Sequence, residues 1–297
     1  MNMKPAVVVH GGAGAGAELS DGCQRAADAA LRQLADGDTA LAAAIAAVLV
    51  LEDDDRFNAG TGSALGLDGE TVEMDAALMD THGTLAAVAA LRSVKNPILV
   101  ARDVARTPHY LLVGEGAQRF ARLMGHGPHD VIPDTARRKH AALLAKMAAG
   151  QRPMAGVDNG EFARFWNYDS VPTVAGSQGC DTVGAVVRDA NGHFAVAGST
   201  GGSAPSLLGR VGDTPLVGCG FYAGPAGAVA ATGIGEYIIR TMLALRVYHW
   251  IEDGMDLHDA LRKGIGLVPP DANTGLIAVS QTQSGWHANA STPTAER

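Results

Sequence analysis

The fold is decided by the stretch Thr182-Val183-Gly184-Ala185-Val186-Val187-Arg188, which is followed by Asp189-Ala190-Asn191-Gly192 and then by His193-Phe194-Ala195-Val196-Ala197-Gly198-Ser199. The first and third segments are rich in valine and alanine and have the length of buried strands. The segment between them has the Asp, Asn and Gly that are typical of a turn. The sequence therefore predicts a β-hairpin over 182–199, with a strand that begins abruptly at Thr182.

Strands and helices are also predicted upstream of this hairpin. Val7–Val9 indicates a short buried strand, and Ser20 and Thr39 are suited to cap helices over 20–34 and 40–51. Asp68-Gly69 predicts a second hairpin between the runs 63–67 and 71–78. Further along the chain we expect a strand over 85–94 and helices over 97–106 and 114–124.

The downstream half repeats this mixture. We expect short strands at 215–217 and 226–231, helices over 235–251 and 257–265, and a hairpin from 276–280 and 286–289. Because both halves contain hairpins rather than one crossover helix per strand, the fold class is α+β with antiparallel sheets covered by helices, and not a doubly wound parallel sheet.

Composition limits the function classes. The chain has 297 residues, 47% of them hydrophobic, and a net charge of −8, which excludes a disordered chain and argues against nucleic acid as the main partner. The most apolar stretch, 40–51, is too short to span a bilayer, and the N-terminus lacks the apolar core of a signal peptide. We therefore expect a cytoplasmic protein without a membrane partner. Cys23, Cys180 and Cys219 are spaced too widely for a disulfide framework or a zinc site.

Several motifs are open to two interpretations. The glycines from Gly12 to Gly16 fit a dinucleotide fingerprint loosely, but they also fit a tight turn. The acidic run Glu52–Asp55 is either a hard-cation site or a solvated face. His10 is more simply a structural residue than a catalytic one. Thr182 is either a nucleophile or an ordinary strand former.

Three glycine-rich segments place polar side chains where a backbone can approach a ligand closely. They are Ser199-Thr200-Gly201-Gly202, Gly209-Arg210-Val211-Gly212-Asp213 and Thr232-Gly233-Ile234-Gly235-Glu236. They supply hydroxyls, one aspartate and one arginine, and a guanidinium can bind a carboxylate through two parallel hydrogen bonds.

Together with the Thr182 strand, these segments resemble the plant-type asparaginases and isoaspartyl peptidases, which are N-terminal-nucleophile hydrolases. Five segments of the N-terminal half carry the same resemblance in the same order: His10–Gly14, Phe57–Gly60, Met74–Ala76, Asn96–Ile98 and Gly114–Ala117. The resemblance implies a single domain over 1–297 with two stacked sheets flanked by helices, a four-layer αββα sandwich. It also implies self-cleavage between Asp181 and Thr182 into chains 1–181 and 182–297, the first with a mobile end over about 150–181.

The resemblance assigns a role to each motif residue. Thr182 would be the nucleophile, and its freed α-amine, with a reference pKa of about 7.7–8.0, is suited to act as its base near neutral pH. Thr200 would orient Thr182, and Thr232 with the Gly233 N–H would form the oxyanion hole. Arg210 and Asp213, together with Gly233, would bind the substrate, with Arg210 on its α-carboxylate and Asp213 on its α-ammonium. The substrate would be L-asparagine or a β-aspartyl dipeptide.

The resemblance also implies an ion and an assembly. A structural sodium ion would be held by six backbone carbonyls, those of Leu51, Glu52, Asp54, Phe57, Ala59 and Thr61, while catalysis would need no cofactor. Two precursors would pair into a homodimer, which becomes (αβ)2 after cleavage. Since Asp181 precedes the nucleophile, a glycosylasparaginase-like amidase remains an alternative, as does an inactive relative that serves as a scaffold.

Overall fold

The computed structural model describes residues 3–148, 162–169 and 182–297. Asp181 and Cys180, and most of the segment 150–181 that was expected to be mobile, lie outside these residues. The strands are β1 (Ala6–His10), β2 (Met74–Asp80), β3 (Leu85–Leu91), β4 (Leu111–Val113), β5 (Val183–Arg188), β6 (Phe194–Thr200), β7 (Phe221–Gly224), β8 (Gly227–Gly233), β9 (Thr274–Ser280), β10 (Ser284–Ala288) and β11 (Thr294–Glu296).

The helices alternate with these strands along the chain. They are α1 (Ser20–Ala35), α2 (Ala40–Glu52), α3 (Pro97–Val104), α4 (Gly114–Leu123), α5 (Asp134–Ala148), α6 (Gly235–Thr241), α7 (Leu243–Glu252) and α8 (Leu257–Ile265). Thr39 caps α2 as expected, since its hydroxyl accepts a hydrogen bond from Ala42 N. None of the helices in the described part of the chain has the length and apolar content that a membrane crossing requires.

The strands form two sheets. The first has the order β11-β1-β5-β6-β2-β3-β4 and is antiparallel except for the β3–β4 pair, and the second has the order β10-β9-β8-β7 and is antiparallel throughout. The hairpin predicted over 182–199 is confirmed as β5 and β6, with Val186 opposite Val196. The expected α+β class with mainly antiparallel sheets is therefore confirmed.

Alternation along the strands divides the apolar core. In β1, Val7 and Val9 pack in a cluster with residues of α1 and α2, whereas Val8 packs in a second cluster that holds residues of both sheets. A third cluster joins the second sheet to α7 and α8. Each sheet thus contributes to the shared cluster with one face and contacts helices with the other.

The hairpin predicted over 63–78 and the continuous helix predicted over 235–251 are wrong. The Asp68-Gly69 hairpin does not form, because the first amides of the run 63–67 are engaged upstream: Ser63 N donates to Gly60 O and Ala64 N donates to Asn58 Oδ1. The Asp68 carboxylate accepts hydrogen bonds from Glu70 N and Thr71 N and closes a local turn. The predicted helix 235–251 is divided into α6 and α7 at Met242, whose φ of 48° is left-handed.

Other elements were not predicted. The run 215–217 is not a strand, and the chain forms β7 a few residues later. The irregular pattern after residue 125 concealed α5, whose buried Leu143 and Met147 pack on Leu67 and Ala204. Strands β4 and β11 are three residues each, too short for a periodicity to be visible.

Candidate active site

Three threonines meet at one end of the space between the sheets. Thr182 directly precedes β5, and the register of Val183 with Ser199 places it opposite Thr200 at the end of β6. Thr232 stands near the end of β8 in the second sheet. By alternation, the three side chains lie on the strand faces that hold Val186, Val196 and Ala230 in the cluster between the sheets. The structure therefore brings together the three threonines singled out in the sequence.

Hydrogen bonds join Thr182 and Thr232 directly. The amide of Thr182 donates to Thr232 Oγ1 at 3.4 Å, and that hydroxyl donates to Thr182 O at 3.3 Å. Ala13 N, from the glycine-rich turn after β1, also donates to Thr232 Oγ1 at 3.2 Å. The glycine-rich turn therefore contacts the threonine cluster. This contact favours the interpretation of its glycines as a tight turn over a dinucleotide site.

The hydroxyl of Thr182 has a neighbour that sequence reasoning missed. Thr182 Oγ1 lies 3.4 Å from Thr214 Oγ1, and both residues are buried. One indication of this contact was present in the sequence, because Thr214 directly follows Asp213 of the GRVGD segment. Thr200 Oγ1 accepts a hydrogen bond from Gly202 N at 3.1 Å, which fixes the turn after β6.

Gly233 has a conformation that only glycine adopts readily. Its φ is 140°, and a Cβ there would overlap Asn273 O. Residue 233 can therefore stay in register with Thr274 while its chain passes close to Asn273.

Arg210 and Asp213 flank Gly235, three residues after Thr232 along the chain. A Cβ on Gly235 would lie 2.7 Å from Arg210 Nη2 and 2.9 Å from Asp213 Oδ1, so both side chains converge on the space that glycine leaves. Arg210 Nε and Nη2 also donate to Glu236 Oε1 at 3.1 and 2.9 Å. Glu236 closes the TGIGE segment, but its pairing with Arg210 was not predicted.

Two carboxylates outside the site hold the backbone of this loop. Gly209 N donates to Glu73 Oε2 at 2.7 Å, and Gly212 N donates to Asp75 Oδ2 at 3.3 Å. Asp75 also accepts from Ala90 N at 2.9 Å, so it ties the loop to β3. Asp75 belongs to the Met74–Ala76 motif, to which sequence reasoning gave no role.

Burial controls the protonation of the acidic groups. It raises the pKa of Asp213 to about 7, and the nearby Arg210 guanidinium opposes this increase. The pKa of Asp75 is raised to about 6 for the same reason, against the hydrogen bonds from Ala90 N and Gly212 N. Asp213 Oδ2 has no hydrogen-bond partner among the described residues. The carboxylate is thus available to a positively charged ligand at and above neutral pH.

His10 lies at the end of β1 and is fully buried. Burial lowers its pKa to about 3, so the imidazole is neutral. A Cβ on Gly184 would lie 2.5 Å from His10 Nε2, so the ring occupies the side-chain space of the second residue after Thr182. This contact supports a structural role for His10.

The end of α2 and the loop after it carry the six residues expected to bind sodium. The acidic side chains of this loop are engaged elsewhere: Asp53 pairs with Lys95, and Asp54 pairs with Arg25 and Arg56. The described residues contain no group of three or more His, Cys, Asp and Glu side chains that could hold a metal ion. Backbone carbonyls approach two glycines instead: a Cβ on Gly60 would lie 2.6 Å from Glu52 O and 2.9 Å from Lys95 O, and one on Gly62 would overlap Phe57 O.

Asn58, in the same loop, connects it to the site. Its carbonyl accepts from Gly201 N at 3.0 Å, and its side-chain amide donates to Gly202 O at 2.7 Å and accepts from Ala64 N at 2.8 Å. The segment Phe57–Gly60 carried part of the family resemblance, but the hydrogen bonds by which Asn58 holds the turn after β6 were not predicted.

Known proteins are similar to this chain over most of its length. The family model described as asparaginase matches residues 3–295. A plant-type L-asparaginase of Pyrococcus furiosus is 42% identical in an alignment that covers 96% of this chain and 93% of that protein. Proteins named isoaspartyl peptidase/L-asparaginase from Xenopus laevis and Homo sapiens are 38% and 37% identical, covering 98% and 94% of this chain and 90% and 88% of theirs. The chain is therefore an enzyme of the plant-type asparaginase and isoaspartyl peptidase family of hydrolases.

Proposed function

We propose that the chain is a self-cleaving threonine hydrolase that cuts the side-chain amide of L-asparagine or of β-aspartyl dipeptides. One observation carries the proposal: Thr182 lies buried against the hydroxyls of Thr214 and Thr232. A single residue that can serve as both nucleophile and base answers the need for activation without a histidine.

Self-cleavage would proceed through the Thr182 hydroxyl. Its Oγ1 attacks the carbonyl carbon of Asp181, the C–N bond breaks, and the acyl group moves to the oxygen as an ester. Water then hydrolyses the ester and leaves a carboxylate on Asp181 and a free α-amine on Thr182. The amine accepts the hydroxyl proton in the later catalytic cycle.

Substrate hydrolysis would use the same oxygen. Thr182 Oγ1 attacks the side-chain amide carbon, ammonia or an amino acid leaves with a proton, and water releases aspartate from the ester. Thr232 and Gly233 N–H would stabilise the oxyanion. Arg210 and Asp213 would bind the α-carboxylate and α-ammonium, a pair of charges that selects a free amino-acid head group.

The remaining expectations belong to the same proposal. The three apolar clusters support a four-layer αββα order of helices and sheets, as in N-terminal-nucleophile hydrolases. The proposal keeps a sodium ion held by backbone carbonyls, and two of the six expected ligands, Glu52 O and Phe57 O, lie close to Gly60 and Gly62. The ion would be structural, and we propose a homodimer of precursors as the assembly.

The test is the intact mass of the purified protein in denaturant after incubation at neutral pH. We expect two fragments, the shorter starting with Thr182, and a single 30.4 kDa species for Thr182→Ala. An uncut wild-type chain without amidase activity would refute the proposal and favour the inactive scaffold.

A second candidate substrate rests on the Asp181-Thr182 junction, which is closer to that of the glycosylasparaginases. Hydrolysis of N4-glycosylated asparagine at a rate comparable with L-asparagine would support it. The two substrates share the head group, so the comparison depends only on the leaving group.

A further inference from the structure

Asp75 is buried beside the threonine cluster, although the proposed reaction gives it no part. It is 3% exposed and lies opposite Thr200 in the pairing of β2 with β6. By alternation along β2, its side chain lies on the strand face that holds Ala77 in the cluster between the two sheets. Burying a carboxylate is costly unless hydrogen bonds satisfy it, so the contacts of Asp75 indicate why a charged residue stands here.

The first contact of Asp75 is with a bulge in β3. The register of β2 with β3 shifts at Asp75, where two residues of β3 stand opposite one residue of β2. Ala90, the second of these two, has a φ of 47°, a left-handed conformation that costs energy for a residue with a Cβ. Strain of this kind persists only where neighbouring contacts hold it, and Ala90 N donates to Asp75 Oδ1 at 2.9 Å. The carboxylate therefore satisfies a backbone amide at the bulge.

The second contact of Asp75 is with the loop that carries the head-group residues. Gly212 N donates to Asp75 Oδ2 at 3.3 Å. The next residue is Asp213, whose carbonyl oxygen accepts from Leu216 N at 2.9 Å and from Gly220 N at 3.2 Å. Asp213 is thus fixed on its C-terminal side by its own turn, and on its N-terminal side by the amide that Asp75 holds.

Two amides that face two different oxygens require a carboxylate. A carboxylate accepts at both oxygens, whereas the side-chain amide of Asn has one acceptor and one donor group. Burial raises the pKa of Asp75 to about 6, so the group is ionised at neutral pH and both oxygens accept. An Asn at this position would keep its carbonyl oxygen on one backbone amide and turn its NH2 group towards the other.

We propose that Asp75 is a positioning residue for the substrate head group: it ties Gly212 to the bulge of β3 and so holds the Asp213 carboxylate where the α-ammonium binds. The inference rests on the proposed function, since it takes Asp213 as the ammonium site. Because the turn after Asp213 keeps its own hydrogen bonds, Thr214 should stay beside Thr182 when Asp75 is changed. Loss of Asp75 should therefore weaken substrate binding more than it slows the chemical step.

The test compares Asp75→Asn with Asp80→Asn, a matched change at the other end of the same strand. Asp80 is also buried, and its Oδ1 accepts from His82 N and Thr84 N in the turn after β2. The control thus alters a buried, backbone-holding aspartate of β2 that lies at the end away from the threonines. Asp80→Asn should leave KM for L-asparagine unchanged.

The expected effect of Asp75→Asn follows from its two hydrogen bonds. The Asn should keep its carbonyl oxygen on Ala90 N, the shorter bond, and lose the bond from Gly212 N. The assay is run well above the Asp213 pKa of about 7, where that carboxylate is ionised. We expect KM for L-asparagine to rise about five- to thirtyfold, the lower part of the range for a hydrogen bond to a charged group, and kcat to stay within about threefold of the wild type.

A double-mutant cycle separates positioning from a loss of stability. If Asp75 acts through Asp213, Asp75→Asn should raise KM little further once Asp213→Asn is present, since the carboxylate that it positions is gone. Asp75→Ala loses both hydrogen bonds and should lower Tm as well as raise KM, whereas Asp75→Asn should recover most of the Tm but not the KM. If Asp75→Ala fails to fold, the Asn variant and the cycle still decide. An unchanged KM in Asp75→Asn, or independent effects of the two substitutions, would overturn the proposal.

Failure of the proposed function has a different signature, namely a wild type that stays uncut and hydrolyses no L-asparagine. In that case, or if Asp75→Asn alone stays uncut, calorimetric titration with L-aspartate decides, because this probe has the same head group. Weaker binding by Asp75→Asn but not by Asp80→Asn supports the positioning role. Equal affinities of the wild type and both variants, or binding to none of them, overturn it.

Discussion

The substitution Gly235→Ala tests the substrate head-group site with a single methyl group. The added Cβ would lie 2.7 Å from Arg210 Nη2 and 2.9 Å from Asp213 Oδ1, so one or both of these groups must move. Gly235 begins α6, and alanine is favoured over glycine in helices by up to about 1 kcal/mol. The helix preference offsets part of the cost of the close contacts, so the change should reduce substrate binding more than the stability of the fold.

The magnitude follows from which neighbour yields. Overpacking costs about 1–3 kcal/mol in a rigid surrounding. Arg210 Nη2 is the end of a flexible side chain and can retreat, which places the cost near the lower limit. We expect kcat/KM for L-asparagine to fall about five- to thirtyfold, mostly through KM. Self-cleavage should persist, because the hydrogen bonds described for Thr182 are made with Thr214 and Thr232, which the added methyl group does not contact.

Steady-state ammonia release by Gly235→Ala measures this effect, with the fragment pattern on a denaturing gel as a check of self-cleavage. Gly116→Ala in α4 is the matched control, since its Cβ would meet nothing within 4 Å. If both variants have the wild-type KM, the placement of the head group between Arg210 and Asp213 is wrong.

Three further predictions use buried groups. Because burial raises the pKa of Asp213 to about 7, KM for L-asparagine should rise as the pH falls through this value. Asp213→Asn should raise KM and make it independent of pH in this range. A wild-type KM that does not change with pH would contradict the binding of the α-ammonium by Asp213. Burial raises the pKa of Glu52 from 4.5 to about 8, so the native state holds a proton that the unfolded chain releases, and stability falls as the pH rises across that interval. Glu52→Gln should lose less Tm than the wild type over the same range, and parallel Tm curves would argue against a protonated Glu52. Gly184→Ala should lower the free energy of unfolding in urea by about 1–3 kcal/mol, because its Cβ would lie 2.5 Å from His10 Nε2. Gly198→Ala on the facing strand is the control and should be tolerated, since its nearest contact is 3.5 Å. Equal losses of stability in the two variants would refute the contact with His10.

Local chemistry was sufficient to predict some of the fold. The β5–β6 hairpin and the Thr39 cap depend on neighbouring residues, and both are present. The Asp68-Gly69 hairpin failed because Ser63 N and Ala64 N donate to Gly60 O and Asn58 Oδ1 and not across the turn. Helix α5 and strand β11 depend on partners far along the chain, Ala204 for the first and β1 for the second, which no short window of sequence contains.

The candidate site divides in the same way. The motifs identified Thr182, Thr232, Arg210 and Asp213 because each stands beside glycines or at a strand end. Thr214 and the loop-holding carboxylate of Asp75 were missed, since only the folded chain shows that one reaches Thr182 and the other Gly212. Their distances from these partners along the sequence conceal both contacts.

The strand order of the larger sheet has a consequence for assembly. Strand β1 lies between β11 and β5, and β2 lies beside β6, so strands from before and after Thr182 are interleaved. A break at Thr182 would leave two polypeptides that share one sheet. Separating them would break the backbone hydrogen bonds of every strand pair that joins them. Neither piece could complete its part of the sheet alone. A chain that cleaves itself at Thr182 would therefore fold while it is still continuous, whereas two halves synthesised separately would have to associate before either became a stable protein.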